Sequence, residues 1–281
     1  MEAISDFLST YAAVVCAAVW GAVWGSFFNV VIGRVPRGES IVRPASRCLS
    51  CGAAVRAWDN VPILSYILLR GRCRSCRAPF SLRYPLVELL TALVAAAIFW
   101  KVAGSDPTEA VAVRLGRFAT YFAWAGTLIV LAFIDLDTKR LPDVITIPGV
   151  AVFFLAAFAA HDVPWMERAI GAAVGYLFVR LIADFYYYVL RREGLGLGDG
   201  KLLAMIGAVL GWRSIPIVLF LGAILGSLIS IPLLLVARRR HPDNVETLRQ
   251  VQVPFGPFLA LGALIYLFAG QEIWAAIVPP G

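Results

Sequence analysis

Seven long apolar runs and one short one leave a chain of 281 residues little material for anything but membrane helices. The long runs lie near residues 7–32, 86–103, 118–134, 144–160, 169–190, 215–236 and 255–277, and the short one covers 202–212. Each long run approaches the span needed to cross about 30 Å of hydrocarbon. With 60% hydrophobic and 15% charged residues, the composition excludes a soluble globule and predicts an all-α polytopic membrane protein of about eight transmembrane helices. Glu2 and Asp6, with no Lys or Arg, precede the first run, and the run is long. A cleavable signal peptide has the opposite character, so residues 7–32 are expected to remain as one helix.

The net charge of +7 follows topology rather than a nucleic-acid partner, since no basic groove interleaved with aromatics is visible. Of 25 Lys and Arg residues, 19 fall in four polar segments, 34–84, 135–143, 191–201 and 238–254, the first with ten arginines and the last with Arg238, Arg239, Arg240 and Arg249. An eight-helix count puts all four on the cytoplasmic side and both termini outside.

Two acidic stretches then share one face of the membrane. The first reads Phe133-Ile-Asp135-Leu-Asp137-Thr-Lys-Arg140-Leu-Pro142-Asp143, the second Gly194-Leu-Gly196-Leu-Gly198-Asp199-Gly200-Lys201. A carboxylate at membrane depth is costly and normally faces a bundle interior or a wet cavity, where it carries function. Asp135 and Asp199, 64 residues apart, are the candidate catalytic pair. The short run of 11 residues reaches only about 17 Å, so the Gly194 to Gly200 loop is expected to dip into the bilayer and bring Asp199 to the start of a helix.

Two carboxylates in hydrogen-bonding reach share one proton, one acting as general base on water and the other as general acid toward a leaving amine. Other peptidase chemistries lack parts: there is no His-Glu-x-x-His, and His161 and His241, the only histidines, fall on opposite sides of the membrane. Arg180 and Asp184 are read as a local i,i+4 ion pair, and Glu88 as either a salt-bridge partner or a ligand-site acid. Gly21/Gly25, Gly171/Gly175, Gly207/Gly211 and Gly222/Gly226 are spaced for close helix approach.

Cys16 sits in the first apolar run as a small buried hydrophobe. Cys48-Leu-Ser-Cys51 and Cys73-Arg-Ser-Cys76 form two knuckles whose spacing suits a tetrahedral structural zinc site. The alternative, a pair of disulfides, is disfavoured on the cytoplasmic side. The arginines of this segment would also seat it against anionic lipid headgroups.

Taken in order, these motifs resemble those of the type IV prepilin peptidases, which belong to the intramembrane aspartyl proteases with a Gly-x-Gly-Asp motif. The resemblance runs over nearly the whole chain: Gly25-Ser-Phe-Phe-Asn29 through Pro36, then Arg47-Cys48 through Cys76 with Trp58-Asp-Asn60-Val-Pro62 between the knuckles. Arg83-Tyr84-Pro85-Leu-Val-Glu88 follows, and then the two acidic stretches. It implies cleavage of the basic leader of prepilins and pseudopilins at the cytoplasmic face of the inner membrane, with Asp135 and Asp199 as the dyad and a zinc-binding domain on Cys48, Cys51, Cys73 and Cys76. It also implies methylation of the new N-terminus from S-adenosylmethionine, although no Gly-x-Gly strand-loop-helix for a Rossmann site is present. Asp137 and Asp143 are expected to be helix-start or network residues, and Lys201 to tune Asp199 or touch substrate. The implied division is a first membrane helix at 1–33, a zinc module at 34–84 and an aspartyl peptidase domain at 85–281. The alternatives are a peptidase without methyl transfer and a proton-coupled transporter, the latter lacking matching broken helices in two halves.

Overall fold

The computed structural model describes residues 2–104, 106, 108–160, 162–189, 191, 196–240 and 253–277. His161, Arg192, Gly194, His241 and Arg249 lie outside the described residues. Helices carry the fold, and the described residues contain no strand beyond two isolated antiparallel bridges, Arg47 with Ala54 and Arg72 with Pro79.

All eight apolar runs are helical. Six helices are long and apolar enough to cross a membrane: α2 (Tyr11–Arg34), α4 (Arg83–Val102), α5 (Val111–Thr138), α7 (Trp165–Val189), α9 (Ser214–Arg240) and α10 (Gly256–Ile277). Two are shorter, α6 (Asp143–Ala156) and α8 (Leu197–Leu210). The remaining helices are α1 (Glu2–Leu8) and α3 (Leu64–Leu68).

Two expectations are corrected. The first run is not one helix from residue 7: α1 stops at Leu8, and Thr10, extended at φ −97° and ψ 156°, starts α2 by accepting the Ala13 N–H at 3.3 Å. A threonine at an N-cap satisfies a donor that the helix leaves unpaired, and here this outweighs continuous hydropathy. The Gly-rich segment before the short run is also less of a loop than expected. Helix α8 begins at Leu197, so Gly198, Asp199 and Gly200 are helical.

The chain divides into two compact units, Met1–Val130 and Leu131–Gly281. In the first, α2 packs along α4. A Cβ on Gly21 would lie 2.6 Å from Ala95 Cβ, and one on Gly25 would lie 2.7 Å from Glu88 Cα. Only glycine lets the two backbones come this near. Arg114 is fully buried and donates to the Ala103 carbonyl at 2.6 Å and to Ser5 and Ser9, which closes the end of α4 against α1.

In the second unit α8 is the central element, buried at every residue from Leu202 to Leu210. A helix apolar all round is stable only when enclosed, and α6 and α7 flank α8 while α9 pairs with α10. Gly171 and Gly207 put α7 and α8 in backbone contact. Arg180 and Asp184 pair at 2.9 Å along α7, as read from their spacing.

Candidate active site and metal centre

Asp135 stands in the last turn of α5. Lys139, in the left-handed region at φ 54°, ends the helix by donating its N–H to the Asp135 carbonyl at 2.8 Å. Thr138 reinforces this end, its hydroxyl reaching the Ile134 and Arg140 carbonyls at 2.9 and 3.1 Å. The Asp135 side chain is 5% exposed, and its Oδ2 accepts the Gly256 N–H at 2.9 Å. Gly256 is the first residue of α10, whose leading N–H groups lack helical partners and carry positive partial charge. A Cβ at 256 would meet Asp135 Oδ2 at 2.7 Å, so the contact requires glycine.

Asp199 stands in the first turn of α8 after Gly196, the N-cap. The neighbouring glycines serve packing: Gly198 lies against Leu141, where an added Cβ would be 3.2 Å from Leu141 Cβ, and Gly200 lies as closely against Val179 of α7. Gly198 packs on Leu141 and Lys201 pairs with Asp143, so the stretch that holds Asp199 lies against the one that holds Asp135 within the second unit. Asp137 is exposed. Asp143 opens α6 and takes the Lys201 ammonium at 2.5 Å, so Lys201 ties α8 to α6. Gly256 is the site residue that sequence reasoning missed. Its signal was Pro254-Phe255-Gly256-Pro257, a Gly-Pro helix start after a polar segment.

The four cysteine sulfurs of the first unit lie within 4.8 Å of one another and could hold a metal ion. The two knuckles repeat one design. Cys48 and Cys73 donate their N–H groups to the Ala53 and Ala78 carbonyls at 2.9 Å, and Gly52 and Arg77, both at positive φ, return theirs to Cys48 and Cys73. All four thiols are free, and Cys48 Sγ lies 3.8 Å from Cys76 Sγ. Sulfurs about 2.3 Å from a tetrahedral centre stand about 3.8 Å apart, so the donor set fits such an ion. The backbone N–H groups of Cys51 and then Ser50 lower the Cys48 thiol to about 6. At Cys76 the Ala78 N–H acts downward, but burial and the other three thiols outweigh it and push that thiol up to about 11.

Glu88, buried in α4, accepts the Ile63 N–H at 2.7 Å and the Ser26 hydroxyl. Nearby, Asn29 donates to the Tyr84 carbonyl at 3.1 Å, and Arg74 grips Asp59 through two nitrogens at 2.5 to 3.1 Å.

A fold of many apolar helices, six of them long enough to cross a membrane, defines a polytopic membrane protein, and comparison with known proteins makes the class specific. Residues 19–102 match the Bacterial Peptidase A24 N-terminal domain, and residues 122–231 match the Type IV leader peptidase family. The chain is 38% identical to the prepilin leader peptidase/N-methyltransferase of Pseudomonas putida, over 83% of this chain and 75% of that protein. It is 39% identical to the one of Aeromonas hydrophila, over 83% of this chain and 74% of that protein. It is 34% identical to the one of Neisseria gonorrhoeae, over 90% of this chain and 89% of that protein. No solved structure matches it. The chain belongs to the type IV leader peptidase family and is a peptidase.

Proposed function

We propose that this protein is a bifunctional enzyme of the bacterial inner membrane that cleaves the leader of prepilins and pseudopilins and then methylates the new N-terminus. The observation that carries the peptidase half is the meeting of the two acidic stretches at the end of α5 and the start of α8, where Gly198 packs on Leu141 and Lys201 pairs with Asp143. In this reading Asp135 and Asp199 share one proton, one acid charged and the other protonated. With substrate bound, the ionised member takes a proton from water as it attacks the scissile carbonyl, and the protonated member passes its own to the departing amine. Both acids lie at helix ends, where a single-helix substrate presents its membrane-boundary bond.

The wider reading keeps eight crossings, both termini in the periplasm, and the module and acids on the cytoplasmic side. It keeps the division into a first helix at 1–33, a module at 34–84 and a peptidase domain at 85–281. Cys48, Cys51, Cys73 and Cys76 would hold zinc, which supplies a structural crosslink there. Methyl transfer would draw on S-adenosylmethionine as methyl donor, and its site belongs to the module and the first helices. The buried Glu88 carboxylate, held by Ser26 and the Ile63 N–H, is one polar group of that unit which the peptidase reading leaves unused.

The test is a processing assay with purified protein, a prepilin and labelled S-adenosylmethionine. Asp135→Asn and Asp199→Asn should each lose at least about a hundredfold in leader cleavage, while metal content stays that of the parent. Full processing by either variant overturns the aspartyl mechanism, and cleavage without label transfer reduces the reading to a peptidase alone.

A further inference from the structure

The module between α2 and α4 carries an apolar face turned outward. Its interior is on the other side of α3: the Tyr66 ring covers Gly71, and its hydroxyl donates to the Phe80 carbonyl at 3.2 Å. Leu64, Ile67 and Leu68 occupy positions i, i+3 and i+4 of α3, one face of a helix, and all three are exposed, Leu68 at 81%. Trp58 is 66% exposed, with the Arg56 guanidinium 6.0 Å from its ring centre. Arg70, also exposed, follows directly after α3. Burying an apolar side chain is the ordinary outcome of folding, so a helix that turns a tyrosine inward onto Gly71 and shows its leucines to the outside has a second apolar phase as partner.

We propose that α3 and Trp58 lie in the headgroup layer of the bilayer, which makes the cysteine module a surface-seated element rather than a free domain. The chain leaves α2 at Arg34 and enters α4 at Arg83, both ends of candidate membrane spans, so the module is tethered beside lipid at each end. An amphipathic helix flanked by arginine and an interfacial tryptophan is the combination that settles at a membrane boundary, its cations drawn to anionic lipid. The proposal is independent of the catalytic reading, because none of these residues belongs to the acid pair.

The test places a photocrosslinking residue in the full-length protein as Leu68→p-benzoylphenylalanine, reconstituted in phosphatidylcholine vesicles with or without phosphatidylglycerol. Mass spectrometry should find lipid adducts at position 68, enriched in phosphatidylglycerol, with none from Tyr66→p-benzoylphenylalanine. Adding Leu64→Asp and Ile67→Asp to the position 68 variant should abolish the adducts with metal content unchanged. Adducts to a second copy of the chain or to added prepilin instead of lipid would overturn the proposal. So would a lipid yield at 68 no higher than at 66, or one indifferent to phosphatidylglycerol.

Discussion

Asp135 and Gly256 are 121 residues apart, yet the carboxylate of one is set by the backbone of the other. A methyl group on residue 256 would press on Oδ2 from 2.7 Å, and displacing a reacting group by about 1 Å can cost about a hundredfold in rate. Gly256→Ala should therefore lower kcat for leader cleavage by about tenfold to a hundredfold while KM changes little, as measured on purified protein in lipid. The two aspartates stand out in the sequence as candidates because an acid at the edge of an apolar run is costly and rarely idle. The Gly256 donor to Asp135 does not, because an N–H has no side-chain signature. The Lys201 ammonium goes to Asp143, a pairing that its place two residues after Asp199 does not announce.

At the level of elements, the glycine pairs announced close approach without naming the helices that would meet. Gly21 and Gly25 face α4, Gly171 and Gly175 face α8, and Gly222 and Gly226 lie against Leu259 and Phe258 of α10. Gly207 abuts the Gly171 backbone directly, so Gly207→Val should separate α7 from α8 and cost about 1–3 kcal/mol. A lowered unfolding midpoint in detergent, with Gly33→Ala as a control that has open space around it, would register this. The start of α8 was misjudged as loop because glycine is a weak helix former. Packing on Leu141 and Val179 overrides that preference, since a Cβ at Gly198 or Gly200 would stand only 3.2 Å from those side chains. The break between α1 and α2 was written in Ser9 and Thr10, but continuous apolarity masked it.

For the whole molecule, the two units present two separate chemistries, four thiols in one and two acids in the other. Zinc should bind at about one equivalent per chain and be lost in Cys73→Ser. Its loss should open residues 34–84 to protease, because metal binding of this kind contributes folding free energy directly. Uptake should also release protons. With the Cys48 thiol at about 6, the number released per metal should fall by about one as pH rises through that value, while Cys76 at about 11 still has its proton to give. Calorimetry in buffers of differing ionisation enthalpy would measure it.

The donor that holds Asp135 opens α10, which follows both acids in the chain. A ribosome that has finished α8 has already made both acids, but the Gly256 N–H that fixes one of them has yet to be polymerised. On the proposed reading, competence therefore waits for α10, and a product stopped short of residue 255 would carry the acids without the N–H that aims one of them.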